Sequence, residues 1–318
     1  MHAVLVARGG RLIAELYRRG DDRSLYDLWS SCADFGPTDR HDMRSISKSV
    51  VALVYGSLLA RGEVPDPSAR GVASFPDEPD FADPGRRAIR LRDLLTMSTG
   101  LDWDEPSPVR RAAHNDETAL IWSASAFRTV FAHEVVAAPG ARFVYSGGAT
   151  AVLAEIMTRA TGRSLTDLVD ETLFRPLGIV DWAWVENLHG MPLAAAGLRL
   201  RPRDLMKIGL MMLDHGRWQG RSIIPSAWID EMITPRIEVG VRLDYGYQWW
   251  RQQVTWQGRA LPVVAAIGNG GQRLFLVPDL DLAVVTTGGA YGDPAIGPVL
   301  DRLLRDVVDT IGGAVPAS

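Results

Sequence analysis

The sequence predicts an α+β fold in which an antiparallel sheet of about five strands is flanked by helices. Three observations lead to this prediction. Short β-rich runs lie near both ends of the chain, helical patterns dominate its middle, and a long helical stripe lies near its C-terminus. We expect a single domain over 1–318, with a body formed by about 1–60 and 190–318. Residues of about 61–189 would form a mostly helical lobe inserted into that body.

The N-terminal segment predicts a β-hairpin followed by a loop. Apolar runs at Val4–Arg8 and Arg11–Tyr17 flank Gly9-Gly10, which is a two-residue hairpin signal. Residues 20–43 are polar, and we expect them to form a loop that leads to Ser45.

The next predicted element is a buried helix. The apolar run Val50–Ala60 suits a helix that is packed on most of its sides, and Gly62 is a natural residue to end it. Because residues three apart share a helix face, Ser45 and Lys48 would lie close together at its start.

Helical and loop patterns alternate through the middle of the chain. The segment Glu63–Arg90 is rich in proline and is expected to be a loop. A short helix is predicted over Ile89–Met97, and longer ones over Ala149–Thr161 and Ser164–Leu173, with Gly162 ending the first of these.

The C-terminal part combines helices with a β-meander. Helices are predicted over Pro202–Asp214, over Pro225–Ile233 with Ser226 as its N-cap, and over Ile296–Ile311. The predicted strands are Gln248–Trp256, Arg259–Ile267, Arg273–Val277 and Leu282–Thr287.

The composition excludes several classes of protein. The chain has 318 residues, of which 47% are hydrophobic and 23% charged, and its net charge of −4 provides no basic surface for nucleic acid. The single cysteine, Cys32, excludes an intrachain disulfide and fits a reducing cytoplasm. Since neither a signal peptide nor a stretch of about 18 apolar residues is found, we expect a cytoplasmic protein that is not bound to a membrane.

Ser45 and Lys48 form an S-x-x-K pattern, in which a neutral lysine takes the proton of a serine nucleophile. At a helix N-terminus, free N–H groups and the helix dipole would stabilise an alkoxide and disfavour an ammonium. Lysine otherwise occurs only at Lys207, so Lys48 indicates a position that needs a titratable amine rather than a fixed charge. The alternative is an N-capping serine beside a solvated lysine.

Two further segments carry candidate chemistry. Tyr145 lies just before the predicted helix Ala149–Thr161, and a phenol near a lysine ammonium can act as a general base. The alternative is a tyrosine that packs between lobes. The glycine-rich segment Gly268–Arg273 precedes a strand, so one of its N–H groups could bind an oxyanion; the alternative is a bulge.

Tryptophans are further candidates for the site, whereas the histidines are not. Several of the 10 tryptophans could line an apolar pocket, although core packing is the alternative: Trp103, Trp182, Trp184, Trp249 and Trp250. The 6 histidines show no metal-binding spacing, so we predict neither a metal nor a cofactor.

In order and spacing, Arg44–Lys48, Phe143–Ser146 and Gly268–Gln272 resemble the three motifs of the serine β-lactamase and penicillin-binding superfamily. The closer likeness is to its class C-like branch of esterases and 6-aminohexanoate-dimer hydrolases. Further segments that look like this branch are Leu91–Glu105, Gly162–Ile179, Arg201–Trp218, Tyr245–Trp250 and Gly270–Pro278. The resemblance therefore covers nearly the whole chain and implies a β-lactamase/transpeptidase-like fold.

The resemblance implies a role for each motif residue. Ser45 would be the acylated nucleophile, Lys48 its proton acceptor, and Tyr145 the residue that passes the proton to the leaving group and helps activate the deacylating water. The oxyanion hole would consist of the backbone N–H groups of Ser45 and Gln272. The residues expected to contact the substrate are Asn269, Gly270, Gly271, Trp103, Trp184 and Trp250.

Two departures from the family pattern concern substrate recognition. Where many relatives have Tyr-x-Asn, this chain has Gly147, which lacks the amide that binds an acylamino group. Where β-lactamases have Lys-Thr-Gly, Asn269 replaces the lysine that meets a substrate carboxylate. These losses point away from penicillins and D-Ala-D-Ala peptides.

We therefore expect a serine hydrolase that forms an acyl-enzyme with a small-molecule ester or a simple amide. The alternatives are an amidase acting on 6-aminohexanoate oligomers, a weak β-lactamase, or a non-catalytic sensor module with the same fold. The intact set of Ser45, Lys48 and Tyr145 argues against the sensor. Neither the identity of the substrate nor the oligomeric state follows from the sequence.

Overall fold

A computed structural model describes residues 1–25, 27, 29–78, 81, 83–105 and 115–312 of the chain. The strands are β1 (Ala3–Arg8), β2 (Arg11–Tyr17), β3 (Arg19–Asp22), β4 (Ser31–Asp34), β5 (His41–Asp42), β6 (Ala183–Trp184), β7 (Leu198–Leu200), β8 (Arg217–Trp218), β9 (Arg221–Ser222), β10 (Ile237–Gly240), β11 (Leu243–Tyr245), β12 (Trp250–Trp256), β13 (Arg259–Gly268), β14 (Gln272–Val277) and β15 (Leu282–Thr287). The helices are α1 (Ile46–Ala60), α2 (Pro84–Ala88), α3 (Leu91–Leu95), α4 (Asp116–Trp122), α5 (Ala126–Phe131), α6 (Gly147–Thr161), α7 (Leu165–Val169), α8 (Pro202–Leu213), α9 (Ser226–Ile233) and α10 (Ile296–Gly312).

The main sheet joins the two ends of the chain. Its strand order is β10-β11-β12-β13-β14-β15-β1-β2, and all of its strand pairs are antiparallel. The predicted N-terminal hairpin and C-terminal meander therefore share one sheet, as expected, with Leu5 opposite Val285. Gly9 and Gly10 have φ angles of 56° and 70°, the left-handed conformation that a tight hairpin requires.

The prediction of about five strands was too low, because the main sheet has 8. The two strands that the sequence did not indicate are β10 and β11, which have only 4 and 3 residues and are too short for their alternation to stand out. They extend the sheet beyond β12.

Each face of the sheet packs against helices. Alternate residues of a strand point to opposite faces, so Leu5 joins the core that contains α1 and α8, whereas Val6 joins the core beneath α10. The predicted stripe of α10 is confirmed by the buried side chains of Leu300, Leu304 and Val308. The start of α1, and with it Ser45, is thereby fixed against the sheet.

The segment between α1 and β6 is mainly helical where the structure describes it. α6 begins at Gly147 and ends at Gly162, whose φ of 69° is the predicted left-handed stop. The predicted helix Ser164–Leu173 is α7 continued by a wider turn over Asp170–Phe174. The division into a body and a helical lobe stays a prediction, and residues 79, 80, 82 and 106–114 of that lobe lie outside the described residues.

Three local predictions were wrong. Residues 20–43 are not simply a loop, because β3 and β4 pair there; both strands are short and largely exposed, so no apolar alternation marked them. The segment Glu63–Arg90 contains α2 and a helical turn over Gly71–Ser74, since prolines are tolerated in a first helical turn. The N-cap of α9 is Pro225, and Ser226 is already helical.

A small sheet of order β5-β7-β6 delivers the chain to Ser45. The side chain of His41 in β5 is buried against His2 and Phe35, with 3.4 Å between the Nδ1 atoms of the two histidines. Burial, followed by the charge of His2, lowers the pKa of His41 to about 4, from an ordinary value of 6.5. Among the described residues, no helix combines the length and the apolar character needed to cross a membrane.

The buried histidines make stability depend on pH. The unfolded His41 imidazole binds a proton near pH 6.5, whereas the folded one resists protonation until about pH 4, so stability is complete above this window and is lost as the pH falls through it. We expect the free energy of unfolding in urea to fall by up to about 2 kcal/mol between pH 7 and pH 5 from this group.

The variant His41→Phe should flatten this dependence, whereas the control His215→Asn, at an exposed position, should leave it unchanged. NMR titration provides an independent check, because the His41 ring resonance should not shift above pH 5. A normal titration of His41 near pH 6.5 would contradict the prediction.

Candidate active site

Ser45 lies at the N-cap of α1, where the predicted motif places it. The preceding residue, Arg44, has a φ of 49°, which is unusual for a residue other than glycine. That turn is held by the Ser47 hydroxyl, which donates to the Arg44 carbonyl at 2.6 Å, and by Tyr291, whose ring lies 4.3 Å from the Arg44 guanidinium. In the part of the chain that the structure describes, the Ser45 N–H donates to no backbone carbonyl.

Lys48 lies directly beneath Ser45 on the same helix face. Its Nζ donates to Ser45 Oγ at 3.0 Å and to the Ala195 carbonyl at 3.1 Å. The side chain is only 1% exposed, so it is not the solvated lysine of the alternative interpretation. The Ser45–Lys48 contact expected from the S-x-x-K spacing is therefore present.

Tyr145 completes the group. It immediately precedes Ser146, whose side chain caps α6 by accepting from Ala149 N at 3.0 Å, so the cap fixes the approach of the tyrosine. The Tyr145 ring stacks on Trp250, with 6.0 Å between ring centroids, and lies 4.8 Å from Lys48 Nζ. Its hydroxyl interacts with both Ser45 and Lys48.

Glu105 also belongs to this cluster, although the sequence did not indicate it. Its Oε1 lies 4.0 Å from Lys48 Nζ, and the side chain is 7% exposed. Its Oε2 accepts from the Trp103 indole at 2.9 Å and from the backbone N–H of Gly147. A carboxylate thus links the lysine of α1 to the first residue of α6.

The pKa of Lys48 is set by two opposing effects, its burial and the charges around it. Burial lowers the pKa of Lys48, but the attraction of Tyr145, Glu105 and Glu117 outweighs this effect and raises the pKa above its ordinary value. The lysine is therefore an ammonium at rest, in contrast to the neutral amine expected from the sequence. Burial also raises the pKa of Tyr145, which the charge of Lys48 opposes.

The glycine-rich segment is a tight turn between β13 and β14. Gly270 and Gly271 have φ angles of 91° and 99°, which favour glycine, and Gly270 packs against the Tyr291 ring. The Asn269 side chain accepts from Gly292 N at 2.9 Å, and the buried Gln272 side chain donates to the Gly288 carbonyl at 2.5 Å. The turn is thus held by its own side chains.

Arg273 is fixed away from a role in substrate recognition. Its guanidinium donates to the carbonyls of Gly268 and Gln272 at 2.8 and 2.9 Å, and burial lowers its pKa to about 10. It therefore does not replace the lysine that is missing at position 269.

The predicted tryptophans have different positions. Trp103 and Trp250 contact the cluster directly, through Glu105 and Tyr145. Trp184 donates to the Leu193 carbonyl at 2.9 Å, so it supports the segment that carries Ala195. Trp249 is 1% exposed and belongs to the core, and Trp182 packs against Phe174.

The site residues that sequence reasoning missed have weak local signals. Glu105 is one of several acidic residues in the run Asp102–Glu105, and nothing in the spacing separates it from its neighbours. Ala195 contributes a backbone carbonyl, which any residue provides. Glu117, whose charge acts on both Lys48 and Glu105, lies at the start of α4, after the family-like segment Leu91–Glu105.

A cavity of about 440 Å³ lies near the cluster, but none of Ser45, Lys48, Glu105 and Tyr145 belongs to its lining. It runs along α6 past Ala151 and Ala154, and its lining includes Glu117 and Ala195, whose carbonyl binds Lys48. A volume of this size is within the range of pockets that hold small molecules. The cluster itself combines a hydroxyl, an ammonium and a phenol, which is a set able to perform nucleophilic chemistry.

Comparison with known proteins agrees with this geometry. The family model described as beta-lactamase matches residues 2–307 of the chain. The 6-aminohexanoate-dimer hydrolase of Paenarthrobacter ureafaciens is 28% identical over 315 residues, which cover 92% of this chain and 73% of that protein. Esterase EstB of Burkholderia gladioli is 31% identical over 193 residues, which cover 57% of this chain and 46% of that protein.

Solved structures show the same fold. The structure of a D-stereospecific amidohydrolase from Streptomyces sp. superposes with a TM-score of 0.65 at 20% sequence identity, covering 94% of this chain and 93% of that one. The predicted β-lactamase/transpeptidase-like α+β fold is confirmed.

Close packing at the start of α6 yields a test of this site's architecture. A Cβ at Gly148 would lie 2.6 Å from both the Trp103 ring and a methyl of Val130. Gly148→Ala should therefore lower the free energy of unfolding by roughly 1–3 kcal/mol, despite the better helix propensity of alanine. The measurement is urea unfolding followed by circular dichroism.

The matched control is Gly297→Ala in α10, where no atom lies within 4 Å of the added Cβ. That variant should keep its stability or gain up to about 1 kcal/mol. Equal effects of the two substitutions would show that Trp103 is not packed as described.

Proposed function

The chain belongs to the β-lactamase family, and on that premise we propose that it is a serine hydrolase acting through an acyl-enzyme on small esters or simple amides. Two of its relatives are named as a hydrolase of a 6-aminohexanoate dimer and as an esterase. The observation that carries the proposal is the buried contact of 3.0 Å between Ser45 Oγ and Lys48 Nζ, beside Tyr145.

In acylation, Ser45 Oγ attacks the substrate carbonyl. The Lys48–Tyr145 pair accepts the serine proton when it holds one proton fewer than its fully protonated form. In that state an ammonium beside a phenolate is favoured over an amine beside a phenol, because the opposite charges attract at short range. Tyr145 is then the base, and the Lys48 ammonium stabilises the negative charge that develops on Ser45 Oγ.

Collapse of the tetrahedral intermediate releases the alcohol or amine. The Tyr145 hydroxyl returns the proton to the leaving group as its bond to the carbonyl carbon breaks. Deacylation reverses these roles, because Tyr145 takes a proton from a water molecule that attacks the acyl carbon, and the proton finally returns to Ser45 Oγ. The two half-reactions thus use one proton carrier.

The oxyanion hole is proposed to consist of the backbone N–H groups of Ser45 and Gln272. The Ser45 N–H lies at the start of α1, where the helix dipole favours negative charge. Gln272 begins β14 directly after two glycines, so no side chain at 270 or 271 blocks the approach of an acyl group.

Neutral substrates suit this site better than substrates with a carboxylate. Asn269 offers no cation, and the Arg273 guanidinium is occupied by backbone carbonyls. Glu117 adds a negative charge that acts on both Lys48 and Glu105. A buried carboxylate of the substrate would therefore lack a positive partner.

The second candidate function is hydrolysis of short linear amides. It is favoured by the similarity to the 6-aminohexanoate-dimer hydrolase, which extends over 92% of this chain. Both candidates use the same acyl-enzyme chemistry, but an aminohexanoate dimer differs from a short ester in its amine leaving group and in the charged ends of its chain. A substrate comparison of short esters with an aminohexanoate dimer would distinguish them.

The nucleophile can be tested directly. A fluorophosphonate probe should label the protein stoichiometrically, and mass spectrometry should locate the adduct on the peptide that contains Ser45. Ser45→Ala should abolish labelling and turnover while the fold is retained, because only a hydroxyl is lost. The control Ser226→Ala, at an exposed position of α9, should keep both. An adduct on another serine would refute the assignment.

The substrate class leads to a separate prediction. An unmet carboxylate and an unmet acylamino group each cost about 1–3 kcal/mol or more, so kcat/KM for p-nitrophenyl butyrate should exceed that for nitrocefin by about 10²- to 10⁴-fold. Asn269→Lys should narrow the gap by raising nitrocefin turnover. Faster hydrolysis of nitrocefin than of the ester by the unmodified protein would contradict the proposed substrate class.

A further inference from the structure

Glu105 is the one carboxylate that contacts both Lys48 and the segment of Tyr145 among the described residues. Its Oε1 lies 4.0 Å from Lys48 Nζ, and its Oε2 accepts from the backbone N–H of Gly147, two residues after Tyr145. The Trp103 indole holds the same oxygen at 2.9 Å. The carboxylate therefore has a fixed position between α1 and α6, and no part of the proton transfer from Ser45 described above requires it.

Burial of the Glu105 carboxylate is energetically unfavourable unless it has partners. The side chain is 7% exposed, and an ionised carboxylate is stable at such a site only when it is paired and hydrogen-bonded. Two N–H donors and an ammonium meet this need. The carboxylate is the acidic group within 4.0 Å of the Lys48 ammonium among the described residues, and the two hydrogen-bond partners of that ammonium, Ser45 Oγ and the Ala195 carbonyl, are neutral.

We propose that Glu105 is a positioning residue of the active site, whose ionised carboxylate holds the Lys48 ammonium against Ser45 and fixes it relative to Tyr145. The inference rests on the proposed function, since it assigns a role within that same centre. When Glu105 is neutral, Lys48 loses its counter-ion, and the buried ammonium is no longer held at Ser45.

The charged and titratable groups that face Glu105 come from four segments. They are Lys48 on α1, Glu117 on α4, Tyr145 before α6 and Tyr245 on β11. Burial, followed by the charge of Glu117, raises the pKa of Glu105 to about 7, against the lowering effect of Lys48. Glu105 is ionised above this value and neutral below it. The kcat/KM should therefore rise as the pH increases through about 7, and this rise is called the neutral limb of the pH profile.

The test compares kcat/KM for p-nitrophenyl butyrate as a function of pH in wild-type protein and three variants. Glu105→Gln keeps one oxygen that can accept from both Trp103 and Gly147, but it removes the charge. At pH values above the neutral limb, this variant should lower kcat/KM by roughly 10- to 100-fold, mainly through kcat. Its pH profile should no longer show the neutral limb. Glu105→Asp keeps the charge, so it should retain part of the activity and a pH profile in which kcat/KM rises with pH.

Glu117→Gln provides a second readout that does not alter Glu105 itself. Because the charge of Glu117 raises the pKa of Glu105, its removal should move the limb to lower pH. The control Glu238→Gln, at an exposed position of β10, should leave the activity and the profile unchanged.

The outcomes separate this inference from the proposed function. If Glu105→Gln keeps wild-type kcat/KM, or keeps the limb at an unchanged pH, the assignment of Glu105 is wrong even though Ser45 is acylated. If Glu105→Gln does not fold, an unchanged limb in Glu117→Gln overturns the assignment instead. Absence of ester hydrolysis and of Ser45 labelling in wild-type protein would refute the proposed function itself.

Discussion

A lysine ammonium buried beneath a serine is the constraint on which this structure depends. Lys48 is 1% exposed, and a buried charge without partners costs several kcal/mol. Its partners come from separate parts of the chain: the Ser45 hydroxyl from α1, the Ala195 carbonyl from the segment before β7, and the Glu105 carboxylate from the segment after α3. The fold must bring these segments together before the lysine can be accommodated.

Gln248 shows how the surrounding elements are tied together. Its side chain donates to the Leu94 and Leu95 carbonyls of α3 at 3.1 Å and accepts from the Thr150 hydroxyl of α6 at 2.8 Å. Its own carbonyl accepts from the Ser49 hydroxyl of α1 at 2.7 Å. One buried amide, which leads into β12, therefore connects the helices that carry Lys48, Tyr145 and the approach to Glu105. The cluster of Ser45, Lys48 and Tyr145 is thus supported by elements that are hydrogen-bonded to one another.

The sequence allowed the local parts of this arrangement to be predicted. β-rich runs broken by turn residues marked the strands from β12 to β15, and the spacing of Ser45 and Lys48 placed them on one helix face. It could not indicate Glu105 or Ala195, because their contacts with Lys48 span many residues and depend on backbone groups or on one acid among several. The charge state of Lys48 could not be predicted for the same reason. The dipole of α1 was evident from the sequence, whereas the acidic groups that raise the pKa of Lys48 are brought to it only by the fold.

The central claim is that Ser45, Lys48 and Tyr145 form one reacting centre whose oxyanion lies at the start of α1. The most direct measurement is a crystal structure of the protein inactivated with a p-nitrophenyl alkylphosphonate, which mimics the tetrahedral intermediate. Phosphorus should be bonded to Ser45 Oγ, with one phosphoryl oxygen accepting from the backbone N–H groups of Ser45 and Gln272. Lys48 Nζ should remain at Ser45 Oγ, and the Tyr145 hydroxyl should face the position of the leaving group. Phosphorus on any other residue, or a phosphoryl oxygen directed away from α1, would contradict it.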